Sequence, residues 1–288
     1  MGEWDAWIGR SEQHGDRVDA GLVARWCATL DREGPVDGSA PLGLHWCLAP
    51  PQALTMQLGS DGHPQRDSAE HALLPPVPLP RRMWAAGTLQ FHGPLPVGAG
   101  VVRTSRVIAV TAKTGTSGPL VFVEIAHDLA RHDHVLVSET QSLVYRAAAP
   151  PGAALVPTPA PGHFDPAPWL LTRTVRPGPA LLFRYSALTF NSHRIHYDWP
   201  YATQAEGYRG LVVQGPLIAS LLIDLARRHL GGDRLASFRF RGASPAIADE
   251  PLHLVLRETA DGLDLAAFAD DGRQVMAATA QVMPATGG

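Results

Sequence analysis

The chain has 288 residues, enough for about two domains at roughly 150 residues each, so two hydrophobic cores are expected. Hydrophobic residues make up 45% and charged residues 18%, with 28 glycines and 26 prolines, a globular and turn-rich balance that excludes a mainly disordered chain. A formal net charge of −3 gives no field to hold nucleic-acid phosphates or an anionic membrane surface.

Cys27 and Cys47 are too few for a disulfide scaffold and lack CxxC spacing, which fits reduced thiols and a cytoplasmic home. The opening MGEWDAWIGRSEQ has no basic segment followed by an apolar one, so no secretory signal is expected. The longest mainly apolar run, Gly210 to Ile223, stops at Asp224, short of a membrane span, and the protein is expected to be soluble.

From Asp19 to Leu30, apolar Leu22, Val23, Trp26, Cys27 and Leu30 recur at helical spacing behind Asp19 as a cap. A Gly/Pro-rich stretch follows to about Pro80, and Arg81-Arg82 at its end reads as an exposed loop. Val101 to Ala112, Leu120 to Ala130 and Val135 to Tyr145 are β-branched runs separated by turns, an antiparallel meander. Seven prolines between Ala147 and Pro168 mark an extended linker. The organisation is then a first unit over 1–147, a linker over 148–168 and a second unit over 169–288.

The second unit begins with a strand-like Ala180 to Leu188 and a polar turn. Gly215-Pro216 opens an apolar helix that runs to His229 and stops at Gly231-Gly232. Strands are expected at Ala236 to Arg241, Leu252 to Glu258, Leu263 to Ala269 and Val275 to Val282. Phe91-x-Gly93-x-x-Pro96 and Phe240-x-Gly242-x-x-Pro245 match 149 residues apart, which points to one unit used twice. Helices cradled by antiparallel strands make the fold class α+β, two sheets each wrapped around a helix.

The polar turn carries the densest titratable set in the chain, Asn191-Ser-His193-Arg194-Ile-His196-Tyr-Asp198. This stretch resembles the hydratase-2 signature of MaoC-type enoyl-thioester hydratases, in which an acid precedes a histidine by five residues. The NSHRIHYD variant and the PLPRRMWAAG stretch from Pro78 to Gly87 resemble the subgroup of type 2 hydroxyacyl-thioester dehydratases and mesaconyl-CoA or itaconyl-CoA hydratases. The resemblance implies a double hot-dog fold, no cofactor, an acyl-CoA or acyl carrier protein thioester as substrate, and a homodimer. It maps the catalytic histidine onto His196, the position of the acid onto Asn191, which cannot titrate, and the oxyanion-hole amide onto Gly215.

Adding water to an unsaturated thioester needs a base for the water, a proton for the α-carbon and donors for the developing enolate oxygen. His196 is poised for the proton transfers, Asn191 can orient the water, and Asp198 is a candidate to orient the imidazole or replace the missing acid. His193 reads as solvent-facing. Arg81, Arg82, Arg194 and Arg209 are candidates for a substrate carboxylate or a coenzyme A phosphate. His127, His132, Asp133 and His134 do not make a metal set, because a strand alternates faces and no further ligand completes one.

The expected activity is hydration of an enoyl-CoA, with a short branched dicarboxylic acyl group such as mesaconyl-C4-CoA favoured. The alternatives are a fatty-acid 3-hydroxyacyl-thioester dehydratase, a hot-dog thioesterase and a non-catalytic thioester binder. The first unit lacks a counterpart of Asn191 and His196 before its helix and is expected to shape the acyl tunnel.

Overall fold

The computed structural model describes residues 3–35, 37–66, 72–115, 118–148, 155 and 162–284. Its strands are β1 (Ser11–Arg17), β2 (Arg81–Phe91), β3 (Gly100–Gly115), β4 (Gly118–Arg131), β5 (His134–Arg146), β6 (Leu171–Val175), β7 (Leu235–Gly242), β8 (Leu252–Thr259), β9 (Gly262–Ala269) and β10 (Gln274–Val282). They form one antiparallel sheet in the order β1-β3-β4-β5-β2-β7-β10-β9-β8-β6. Read outward from the β2/β7 seam, the two halves have the same connectivity, which is the duplicated arrangement of a double hot-dog. Most of the stretch expected to be the linker lies outside the described residues.

The seam joins what the sequence presents as two units. Ala86 to Gln90 of β2 pair with Arg241 to Ser237 of β7, and the Phe-x-Gly repeat lies at the ends of these two strands. The two expected cores become one main core containing Trp26, Leu44 and Leu89 from one half with Leu182, Leu222 and Phe238 from the other. A smaller cluster, including Val107, Val123, Ile125 and Tyr145, stays within the first half.

Helix α1 (Ala20–Thr29) is capped by Asp19, whose carboxylate accepts from the Leu22 N–H at 3.0 Å. The stretch expected as a strand at Ala180 to Leu188 is instead helix α2 (Pro179–Leu188). Pro179 suits the first helical turn, and buried Leu182, Tyr185 and Ser186 recur at helical spacing. Helix α1 follows β1 as α2 follows β6, and the two helices meet through Trp26 and Tyr185 with ring centroids 5.9 Å apart.

Helix α3 (Gly215–Leu230) packs on β7, β8 and β9 and buries Leu217, Ile218, Leu221, Leu222 and Leu225. Each such side chain contributes about 1.5–3 kcal/mol. Gly231 ends the helix in the left-handed region, at φ 72°. At the corresponding stage of its chain order, the described residues of the first half hold two short 3₁₀ helices, Leu44–Cys47 and Thr55–Gln57. Among the described residues, no helix is long and apolar enough to cross a membrane.

Gly87 lies opposite Phe240 across the seam, and a Cβ there would sit 2.4 Å from the buried Phe240 ring. Gly87→Val is therefore expected to lower unfolding stability by about 1–3 kcal/mol through overpacking. Urea denaturation checks this, with Gly100→Val as the control, since a Cβ at Gly100 meets nothing within 4 Å.

Candidate active site

After α2 the chain reverses through Phe190, held at φ 51°. Asn191 then uses its side-chain carbonyl to accept the His193 N–H at 3.1 Å, starting the 3₁₀ turn Arg194–His196. The segment entering α3 returns alongside this turn. Val212 donates its N–H to the Ile195 carbonyl at 2.9 Å, and its own carbonyl accepts the Nδ1 proton of His196 at 2.6 Å. The imidazole is thereby fixed three residues upstream of the helix, with its proton on Nδ1 and a lone pair on Nε2. Burial lowers the His196 pKa to about 4, although the Val212 carbonyl opposes that shift, so the ring is neutral near pH 7.

Gln214 ties the entrance of α3 to α2 by donating from Nε2 to the Leu182 carbonyl and to Ser186 Oγ, both at 2.9 Å. The first turn of α3 has no side-chain cap. A Cβ on Gly215 would meet only the Trp84 carbonyl, 4.0 Å away. The beginning of the helix can thus present backbone N–H groups and its positive dipole end to an oxygen that approaches closely.

A loop from the first half completes the site. Ser192 Oγ donates to the Gly62 carbonyl at 2.6 Å, the Arg194 N–H donates to the Asp61 carbonyl at 2.8 Å, and the Arg194 guanidinium donates to the Ser60 carbonyl at 2.8 Å. Gly62 is at φ 85°, and a Cβ on it would lie 2.0 Å from the Ser192 carbonyl oxygen. Asp61 accepts the Nδ1 proton of His63 at 2.9 Å. The His63 ring lies against His193 with centroids 4.0 Å apart, and His193 meets His196 edge-on at 5.4 Å. Burial raises the Asp61 pKa, but hydrogen bonding and charge from His63 outweigh it and hold the carboxyl below its usual range. Burial depresses His63 and His193 below the usual imidazole value, with the Asp61 carboxylate partly opposing both shifts.

Several expected roles change. Asp198 does not reach the imidazole: its Oδ2 accepts from Arg194 at 2.9 and 2.7 Å, and its Oδ1 accepts the Tyr201 N–H. Arg194 is therefore committed to Asp198 and to the 60–61 backbone. Arg209 pairs with Glu250, and Arg81 pairs with Glu206 at 3.0 Å. Arg81 and Arg82 open β2 rather than forming a loop, and the Arg82 side chain, unlike its backbone in the β2–β5 ladder, has no hydrogen bond or ion pair among the described residues. Its charge lowers the pKa values of His63 and His193. His193 is half-buried in the histidine row rather than facing solvent.

Asp61 and His63 were not distinguished in the Gly/Pro-rich stretch, although the Asp-Gly-His spelling puts two titratable side chains on one tight turn. His127 belongs to a separate buried group with Ser105, Arg103, His45 and Glu139 in the first half. Ligand-type atoms of Asp61, His63 and His193 lie within 4.8 Å of one another. The direct Asp61–His63 hydrogen bond already satisfies one pair of those atoms.

Residues 43–248 match the profile of the family described as hydroxyacyl-thioester dehydratase type 2, and the chain belongs to that family. It is 43% identical over 283 residues to mesaconyl-C(4)-CoA hydratase of Chloroflexus aurantiacus, covering 97% of this chain and 98% of the relative. It is 28% identical over 245 residues to the mitochondrial hydroxyacyl-thioester dehydratase type 2 of Schizosaccharomyces pombe, covering 75% of this chain and 76% of the relative. Among solved structures, a MaoC-like dehydratase from Phytophthora capsici shares the fold with a TM-score of 0.70 at 14% identity, covering 96% of this chain and 97% of that one.

His45 and His196 are each 7% exposed, and burial lowers their pKa values to about 3 and about 4. Between those values and about 6.5, the unfolded chain binds the two protons and the folded chain does not, so stability falls as pH drops. The urea midpoint is expected to be lower at about pH 5 than at pH 7. His45→Gln should shrink the difference in unfolding free energy by roughly 2 kcal/mol.

Proposed function

We propose that the protein catalyses reversible hydration of an α,β-unsaturated acyl-CoA. The observation that carries this reading is the neutral, tautomer-fixed His196 imidazole on the segment that enters the uncapped amino end of α3. Water attacks the β-carbon while His196 Nε2 takes one of its protons. The π electrons of the double bond move toward the thioester oxygen, which the Gly215 amide and the α3 dipole stabilise. The imidazolium then gives its proton to the α-carbon. Hydroxyl and hydrogen have been added, and the enzyme is unchanged.

The favoured substrate is a short branched dicarboxylic enoyl-CoA. The relative that shares 43% of its residues acts, by its name, on mesaconyl-C(4)-CoA, and Arg82 offers an uncommitted guanidinium beside the histidines. Such a substrate has its free carboxylate on or near the reacting carbons, where Arg82 can bind it in bidentate fashion. Thioester hydrolysis is disfavoured because Gly215 to Ile223 contains no carboxylate, and the next residue, Asp224, is occupied by Arg173, Arg227 and Arg228 at 2.9, 3.0 and 2.7 Å.

The test follows enoyl absorbance and free thiol together on crotonyl-, mesaconyl-, itaconyl- and longer enoyl-CoAs. Loss of the double bond without thiol is the expected result, and thiol release would refute the proposal. His196→Ala should lower kcat by about 10²-fold or more, while His45→Ala should leave most of it. A strong loss in the latter would refute a single site in the second half. Arg82→Leu should raise KM for a carboxylated substrate by about 10- to 100-fold and leave crotonyl-CoA nearly unaffected.

A further inference from the structure

Holding the attacking water takes more than the base that receives its proton, because water offers two O–H groups and also accepts through oxygen. His196 Nε2 can take one O–H. The Asn191 carbonyl already accepts the His193 N–H with one of its two lone pairs, which fixes the direction in which this side chain can meet a water. The second O–H needs a further acceptor.

Asp61 and His63 provide one. Because Asp61 takes the Nδ1 proton at 2.9 Å, the free lone pair of His63 is on Nε2, the same tautomer as at His196. The rings of His63, His193 and His196 form a continuous row, with centroid separations of 4.0 and 5.4 Å. Three hydrogen bonds from the 192–194 turn to residues 60–62 hold that row in place.

We propose that His63 is a water-positioning residue of this site, its Nε2 accepting the second O–H of the water whose first proton goes to His196, with Asp61 fixing the His63 tautomer. The inference rests on the hydration reading. The proton leaving water passes through His196 to the α-carbon, the hydroxyl bonds to the β-carbon, and His63 neither gains nor loses a proton over the cycle. Asp61, His193, His196, Arg66 and Arg82 are the charged and titratable groups whose fields act on this part of the row.

The test compares His63→Phe, which keeps a ring against His193 but has no acceptor, with His63→Gln, whose amide oxygen can accept. Far-UV circular dichroism and urea midpoints establish that each variant is folded. For enoyl-CoA hydration, His63→Phe is expected to lose about 30- to 100-fold in kcat with KM changed less than about threefold. His63→Gln should recover at least about tenfold of that loss.

A His63→Phe enzyme with wild-type kcat overturns the proposal, as does a loss carried entirely by KM. A His63→Gln enzyme no better than His63→Phe overturns it too. Wild-type turnover that a chelator abolishes and added zinc restores would make Asp61, His63 and His193 a metal site instead, which also overturns it. If the wild type hydrates none of the enoyl-CoAs, the hydration reading itself fails and takes this inference with it. Full wild-type turnover beside an indifferent His63→Phe removes only the role of His63.

Discussion

Pairing of β2 with β7 sets where everything else in the molecule can be. Five consecutive residues on each strand join two similar five-stranded arrays into one sheet, and Phe240 fills the space left open by Gly87. Through this seam the two halves share a core, and α1 can lie against α2. The same joining brings the 60–63 loop of the first half onto the 191–196 turn of the second. A sheet edge in each half is thereby satisfied internally, and among the described residues the short β1 and β6 are the edge strands.

Within that shared frame the halves have diverged in what fills them. The second half holds a 16-residue helix whose apolar body is sheathed by the sheet and whose amino end stays uncapped. The described residues of the first half place two short 3₁₀ turns at that stage, and this half carries a buried polar group, with Trp46 donating to Glu139 at 2.9 Å and His127 contacting Ser105 and Arg103. Chemistry of the kind proposed needs backbone donors at a helix terminus, and among the described residues the 16-residue helix behind such a terminus belongs to the second half. The first half contributes a loop to the site instead.

Much of the fold was legible because local pattern and burial agree. The β-branched runs of β3 to β5, the Asp19 cap, the Gly231 stop and the Phe-x-Gly repeat all express local physics. β1 was illegible because SEQHGDR is an edge strand with no buried residue, so alternation leaves no trace in it. α2 was misread because PALLFRYSAL is short and apolar, and a strand and a helix of that length look alike until a partner selects a face. In the candidate site, spacing and resemblance single out His196 and Gly215, and Val212 links the segments that carry them. Asp198 was misassigned because its nearest cation, Arg194, lies four residues away on the same turn. Asp61 and His63 were hidden because nothing local distinguishes a turn that docks on a distant segment from one that faces water.

The contact between Ser192 and Gly62 spans 130 residues of chain. Closing so large a loop is entropically unfavourable, and long-range contacts of this kind tend to form after the local hairpins around them. The histidine row is thus a product of completed assembly, absent from either half in isolation. A nascent or partly unravelled chain would have the His196 imidazole without the His63 ring that the first half adds to the row, so the proposed chemistry is coupled to arrival at the native topology.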